Sequence, residues 1–318
     1  MTTTADATAT AAASARAVET VYRPALPLDV FRTVGVLMRG PKDPTMLIDG
    51  ATLWRASRTP QGVATLALRS AAGEIRATAW GPGAEWALAQ LPDLCGANDD
   101  ATGFDVSGHP LLAEVARRTR AARLTRTDLV FDALASAVIE QKVTSLQAFG
   151  AWRVLIARFG ERAPGPTPRP MFAPPSIDGW RRIPSWNWHQ AGVEPPQSRA
   201  IARTAERGQR VADAVLAAAT GADRERILTS LPGIGVWTSA ETRIRALGDP
   251  DAVSVGDYHL AHQVGFALIG ERVDDDGMLE LLEPWRGHRQ RVIRLILASG
   301  IQEPRRGPRL APEDHRKR

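Results

Sequence analysis

The chain has 318 residues, 44% of them hydrophobic, and a formal net charge of +5, with basic residues that are mostly arginine and a sequence pI near 10.1. That is enough apolar material for two domains, each with its own core. No run approaches the roughly 20 uninterrupted apolar residues that cross a bilayer. The single cysteine, Cys95, excludes an internal disulfide, a cysteine zinc cluster and a four-cysteine iron–sulfur site.

Residues 1–20 are rich in Ala and Thr and lack the basic start and apolar block of a secretion signal. They predict a disordered tail on a cytoplasmic, nucleoid-associated protein. Residues 21–105 predict a β-rich domain, because VFRTVGVLM, TLWRASR, VATLALR and EIRATAW alternate with Gly, Pro, Asp and Asn breaks between positions 28 and 80. The pattern gives a small antiparallel sheet.

From His109 the apolar spacing becomes helical, in LLAEVARRTRAA, LVFDALASAVIEQ, LQAFGAWRVLIARF, RVADAVLAAA, RERILTSL and RVIRLILASG. A helical domain over 106–300 follows. The proline-rich stretch APGPTPRPMFAPP, 163–175, reads as a loop crossing inside the helical part. Residues 301–318, which include PRRGPRLAPEDHRKR, predict a basic flexible tail. The fold class is α+β, predominantly α: a small antiparallel β-domain followed by a helical domain.

Arginines cluster at 117–126, 199–210 and 286–294. Guanidinium groups pair with phosphate, so the clusters favour a polyanion, although solvated helix faces account for them equally well. In LPGIGVWT, 231–238, a helix ending near Ser230 and another beginning near Val236 flank a Pro-Gly-x-Gly turn. Glycine leaves no Cβ in the way, so backbone N–H groups at Gly233, Ile234, Gly235, Val236 and Thr238 can approach a phosphate. A simple αα-hairpin with a capping glycine fits the same letters. Asp257, in DAVSVGDYHL, precedes the apolar stretch YHLAHQVGFALIG and suits an N-cap. It is equally placed to present negative charge at that helix start.

LPGIGVWTSA together with DAVSVGDYHL resembles the helix–hairpin–helix DNA glycosylase superfamily, and more closely its bacterial 3-methyladenine DNA glycosylase II type in an actinobacterial form. VIEQKVTSLQAF, 138–149, LEPWRGHRQRVIRLI, 282–296, and the β-rich segment ahead of the helices extend the resemblance over roughly residues 25 to 297. It implies duplex DNA bearing a damaged base as partner, base flipping, a monomer, no metal, and no cofactor beyond a monovalent cation at the hairpin backbone. It assigns catalysis to Asp257, which would stabilise a cationic sugar as the N-glycosidic bond breaks.

Relatives that also cleave the strand carry a lysine where this chain has Trp237, so the resemblance implies a monofunctional enzyme. Trp237 becomes a wall of the base pocket, where an indole face attracts a cationic alkylated purine. Tyr258, Trp186, Trp188 and His288 are further pocket candidates, and Gln141 and Lys142 correspond to the wedge that fills the gap left by the flipped base. The chain departs from the pattern at Gly256, which precedes the acid without a second acid, at Val236, at Gly287-His288, and at Lys142, where some relatives carry an apolar wedge. Two other readings stay open: a glycosylase for oxidised, deaminated or mismatched bases, and a non-catalytic DNA-binding protein.

Overall fold

A computed structural model describes residues 16–302. The first strand, β1 (Val18–Tyr22), begins inside the segment expected as tail, and the remaining calls of disorder, for 1–15 and 303–318, lie outside the described residues. The stretch VFRTVGVLM is helical rather than extended: α1 (Val30–Val34) runs into a 3-10 turn, Gly35–Leu37. Its β-branched residues suggest a strand, yet Val30, Thr33, Val34 and Leu37 repeat at three and four residues and are all buried. Asp29 caps the turn by accepting the Arg32 amide at 3.0 Å.

Strands β2 (Met46–Asp49), β3 (Thr52–Thr59), β4 (Gly62–Ala71) and β5 (Glu74–Trp80) complete an antiparallel sheet in the order β1-β5-β4-β3-β2. One face buries Leu53, Leu66, Leu68 and Ile75 against α1 and against α2 (Ala84–Ala89) and α3 (Leu91–Leu94). Cys95 lies in this core, and burial pushes its thiol up to about 12, so it is unreactive at neutral pH.

The other face is covered too, which is why β3 is buried along almost its whole length. Trp54 and Trp80 stack there at 5.7 Å, with Ala163 and Met171 from the proline-rich segment packed on them. That segment therefore does not cross inside the helical part. It lies on the sheet, where Thr65 Oγ1 donates to the Pro164 carbonyl at 2.5 Å and Arg58 Nε to that of Pro174 at 3.0 Å.

Helices α4 (Pro110–Arg118), α5 (Val130–Ile139) and α6 (Ser145–Phe159) follow the sheet, and Thr144 with Gln147 forms a capping box that starts α6. The two-residue strands β6 (Glu161–Arg162) and β7 (Phe172–Ala173) pair across the proline-rich segment. Next come α7 (Ile177–Arg181), α8 (Ser185–Ala191), α9 (Pro195–Ala205), α10 (Gly208–Ala217), α11 (Gly221–Thr229) and α12 (Val236–Leu247). The chain closes with α13 (Leu260–Ile269), α14 (Asp275–Leu282) and α15 (Arg289–Ser299). None of these helices is long and apolar enough to cross a membrane.

The helices build two cores. One surrounds α5 and contains residues of α6 to α12, with Trp152, Trp180 and Trp188 stacked at successive centroid distances of 6.1 and 5.8 Å. The second contains Leu112 of α4 with residues of α13, α14 and α15. The segment 248–259 leaves α12 in the first core and enters α13 in the second, so a junction falls where the hairpin helix and Asp257 lie.

Candidate active site

The turn between α11 and α12 is set by one glycine. Gly233 has φ +87°, and a Cβ there would meet Ala200 Cβ of α9 at 2.8 Å, so both conformation and space demand glycine. Gly235 differs: its φ of −95° suits any residue, and a Cβ would point into open space. The turn is held from within by Ile234, 5% exposed, and by Gln141, whose Nε2 donates to the Gly233 carbonyl at 3.0 Å and to Thr238 Oγ1 at 2.8 Å. Helix α12 starts on Gly235 without a side-chain cap, with Gly233, Gly235 and Val236 exposed. Such a start leaves its first-turn amides without a side-chain cap, the geometry that suits an anion.

This geometry corrects two sequence assignments. The Ile234 side chain is a core anchor, and its amide donates to the Leu231 carbonyl at 3.1 Å. The Thr238 side chain is buried against Gln141, which leaves its backbone amide, the group expected to meet phosphate, uninvolved. Gln141 itself is a brace of the hairpin instead of a free gap filler. Lys142, the next residue, is exposed and takes φ +54°, an uncommon conformation for a side chain with a Cβ.

Trp237 and Asp257 are in direct contact: the indole Nε1 donates to Asp257 Oδ2 at 3.1 Å. The other oxygen, Oδ1, accepts the amides of His259 at 2.9 Å and Leu260 at 3.0 Å. Asp257 is therefore not the N-cap of α13, which is His259; it lies two residues earlier, satisfying the His259 and Leu260 amides with one oxygen and facing the hairpin helix with the other. Gly256, at φ +86°, makes the turn that presents it and donates its amide to Asp275 Oδ2 at 3.0 Å.

The start of α15 fixes the same segment. Arg289 forks onto Asp251, with Nε to Oδ1 at 2.8 Å and Nη2 to Oδ2 at 2.5 Å, and the Gly287 amide adds 2.7 Å. Burial pushes the Asp251 carboxyl upward, yet these partners hold it below the usual carboxylate range.

Other predicted pocket residues separate. Trp188 is 4% exposed, stacked on Trp180, with its Nε1 bonded to the Ile183 carbonyl at 3.1 Å, which makes it core rather than pocket wall. His288 is tied into the second core: Nε2 meets the Thr102 carbonyl at 3.2 Å, Nδ1 accepts from Arg291 at 3.1 Å, and the ring tilts onto Phe104. It has no free nitrogen for a base. Trp186 and Tyr258 are exposed, at 62% and 75%, and Tyr258 meets His259 edge-on.

The arginine clusters also divide. In the last, Arg286 pairs with Glu283, Arg289 with Asp251 and Arg291 with Asp99, while Arg294 donates to the carbonyls of Arg123 and Arg32. Apart from Arg286, which is exposed, that cluster is internal structure rather than a phosphate surface. Arg199, Arg203, Arg207 and Arg210 are exposed and form no ion pair among the described residues. Arg199 directly precedes Ala200, which packs on the hairpin, so the available charge of α9 begins beside the cradle.

A set of charged side chains escapes sequence reading altogether. Glu241 accepts from Ser254 Oγ and from Arg245; Arg245 reaches Glu140 at 3.3 Å, and Arg39 reaches Glu140 at 3.5 Å while lying over the Trp152 ring at 4.6 Å. Burial alone would lower Arg245, but Glu241 and Glu140 hold its guanidinium above the usual value. Beyond it, a cavity of about 50 Å³ is lined by Arg39, Arg55, Arg245, Asp132 and Trp152. Burial pushes the Asp132 carboxyl up to about 7 and lowers Arg55 to about 10.

The whole arrangement is similar to known folds. The 3-methyladenine DNA glycosylase from Archaeoglobus fulgidus superposes with a TM-score of 0.74 at 16% identity, covering 88% of this chain and 98% of that one. The 8-oxoguanine glycosylase/lyase from Clostridium acetobutylicum, in its apo form, gives 0.70 at 10% identity, covering 89% and 96%. The same enzyme in complex with duplex DNA containing cytosine opposite 8-oxoguanine gives 0.69 at 10%, again covering 89% and 96%. No protein-family model and no curated protein sequence matches the chain. The chain has the helix–hairpin–helix DNA glycosylase fold.

Proposed function

We propose that the protein is a monofunctional DNA glycosylase that removes alkylated, cationic purines such as 3-methyladenine from duplex DNA. The observation that carries this reading is the Trp237–Asp257 contact beside an open helix start. The exposed hairpin amides and the arginines of α9 grip phosphates without reading sequence. The target nucleotide swings out of the stack, at an expense of a few kcal/mol that is smallest for a damaged base.

Alkylation at N3 or N7 has already made the purine a good leaving group. Asp257 then stabilises the positive charge that grows on the sugar as the N-glycosidic bond breaks, and water completes the reaction at the anomeric carbon. Trp237 supplies a π-face for the cation and an N–H that orients the carboxylate. With an indole at 237 in place of an amine, no covalent imine with the sugar forms, and the product is free base plus an intact strand bearing an abasic site.

Purified protein is assayed on duplexes carrying one lesion each: a methylated purine, hypoxanthine, an oxidised purine and a mismatch. The reading predicts release of methylated purine and strand breakage only after alkali or heat. Excision confined to the oxidised purine would redirect the substrate assignment, and a borohydride-trapped protein–DNA adduct would refute the monofunctional one. Tight DNA binding without excision of any lesion would make the protein a binding module.

A further inference from the structure

Resting on that reading, we propose that Glu241 is a specificity-determining residue. Its carboxylate lines the base pocket one helical turn beyond Trp237, accepts an N–H from the flipped purine, and favours bases that carry positive charge.

Position comes first. Trp237 and Glu241 are four residues apart on α12, hence on one face and about 6 Å apart along the axis. Each is joined to the same passing segment: Trp237 to Asp257, and Glu241 to Ser254 three residues earlier. The two contacts form successive rungs between α12 and the chain that carries the acid. A base whose sugar lies at Asp257 and whose ring stacks on Trp237 directs its far edge toward the second rung.

Charge comes second. The groups along this face are the carboxylates of Asp257, Glu241 and Glu140 against the guanidinium groups of Arg245 and Arg39, an excess of one negative charge. The arginines lie behind, with Arg245 a further turn along α12 and Arg39 beyond Glu140. Asp257 touches the indole directly, at its N–H edge. A cation stacked on that indole, with Glu241 one turn further along α12, is favoured over a neutral ring of the same shape.

Orientation comes third. The Glu241 side chain is 16% exposed, with Ser254 on one oxygen and Arg245 on the other. A carboxylate offers about four lone-pair sites, so those partners fix its plane and leave acceptor capacity for a base N–H. The Arg245–Glu140–Arg39 chain holds it there without neutralising it by proton transfer, since guanidinium stays protonated.

The test compares wild type, Glu241→Gln and Glu241→Ala in single-turnover excision of 7-methylguanine and of hypoxanthine, together with Tm and binding to abasic duplex. Glu241→Gln keeps size and the Ser254 contact while removing the charge. The proposal predicts that methylguanine excision falls about tenfold or more, the weight of one charge-assisted hydrogen bond. Hypoxanthine excision should change much less and abasic-site binding should hold, while Tm falls in both variants with the lost Arg245 pairing, so the ratio between lesions carries the test.

Equal losses on both lesions would make Glu241 a tie between α12 and the 252–257 segment and overturn the proposal. Unchanged excision of both would do the same. A wild type that removes hypoxanthine but not methylguanine overturns cation selection while leaving glycosylase activity standing. Excision of neither lesion, nor of any other, overturns the functional reading itself.

Discussion

Trp237 Nε1 and Asp257 Oδ2 are 3.1 Å apart, although the two residues belong to different helix starts in different hydrophobic cores. The contact joins a candidate pocket wall to a candidate catalytic acid, beside the uncapped start of α12. Trp237→Phe keeps an aromatic face and removes the N–H. Excision of a methylated purine should fall about tenfold, from one lost hydrogen bond to a charged group, with binding to undamaged duplex retained. Single-turnover rates and a binding titration on the same preparation check this, and unchanged excision would show that the indole does not orient the carboxylate.

The hairpin glycines should behave differently from each other. Gly233→Ala forces a Cβ into the left-handed region, at about 1–2 kcal/mol, and onto Ala200, so thermal stability should drop. Gly235→Val meets open space and an ordinary φ, so Tm should be nearly unchanged while affinity for duplex falls for all sequences alike. A Gly235→Val protein that binds normally would mean that phosphate does not approach there.

Asp132 gives a pH signature. Burial raises its folded-state carboxyl to about 7, so the fold holds a proton there that the unfolded chain releases near the ordinary carboxylate value of about 3.9. Below that lower value the contribution is complete; it is lost as pH rises toward 7, and stability should decline across that window. Thermal melts from pH 4 to 8 should show the decline in wild type and a flatter profile in Asp132→Asn. Identical profiles would place the proton elsewhere.

How much of this was legible in the sequence follows from distance along the chain. The hairpin turn and the position of Asp257 are legible because they are local: a positive-φ glycine in a short turn, and an acid ahead of an apolar helix. Strands β3, β4 and β5 were readable from alternation and breaks. VFRTVGVLM looks extended by its β-branched composition, while its burial obeys the three- and four-residue spacing of a helix.

Residue type alone does not sort the nine tryptophans: Trp188, a pocket candidate by sequence, completes the stack with Trp180 and Trp152. Gln141 was singled out, but its partners lie more than ninety positions away, and nothing local marks it as a brace. The Glu140–Arg245 pair, 105 residues apart, is invisible for the same reason. Only folding brings such charges together.

The central claim, that Asp257 is the group that makes this fold an enzyme, is tested most directly by single-turnover excision of a methylated purine by wild type and Asp257→Asn. Asparagine keeps one oxygen that can accept the amides of His259 and Leu260, so folding should survive, while its NH2 takes the place of Oδ2 and gives up the bond from the Trp237 N–H. Loss of the charge should slow excision by about 10²–10³-fold, the range seen when one preorganised electrostatic group is removed, while binding to abasic duplex persists. Excision by Asp257→Asn at the wild-type rate would contradict the account.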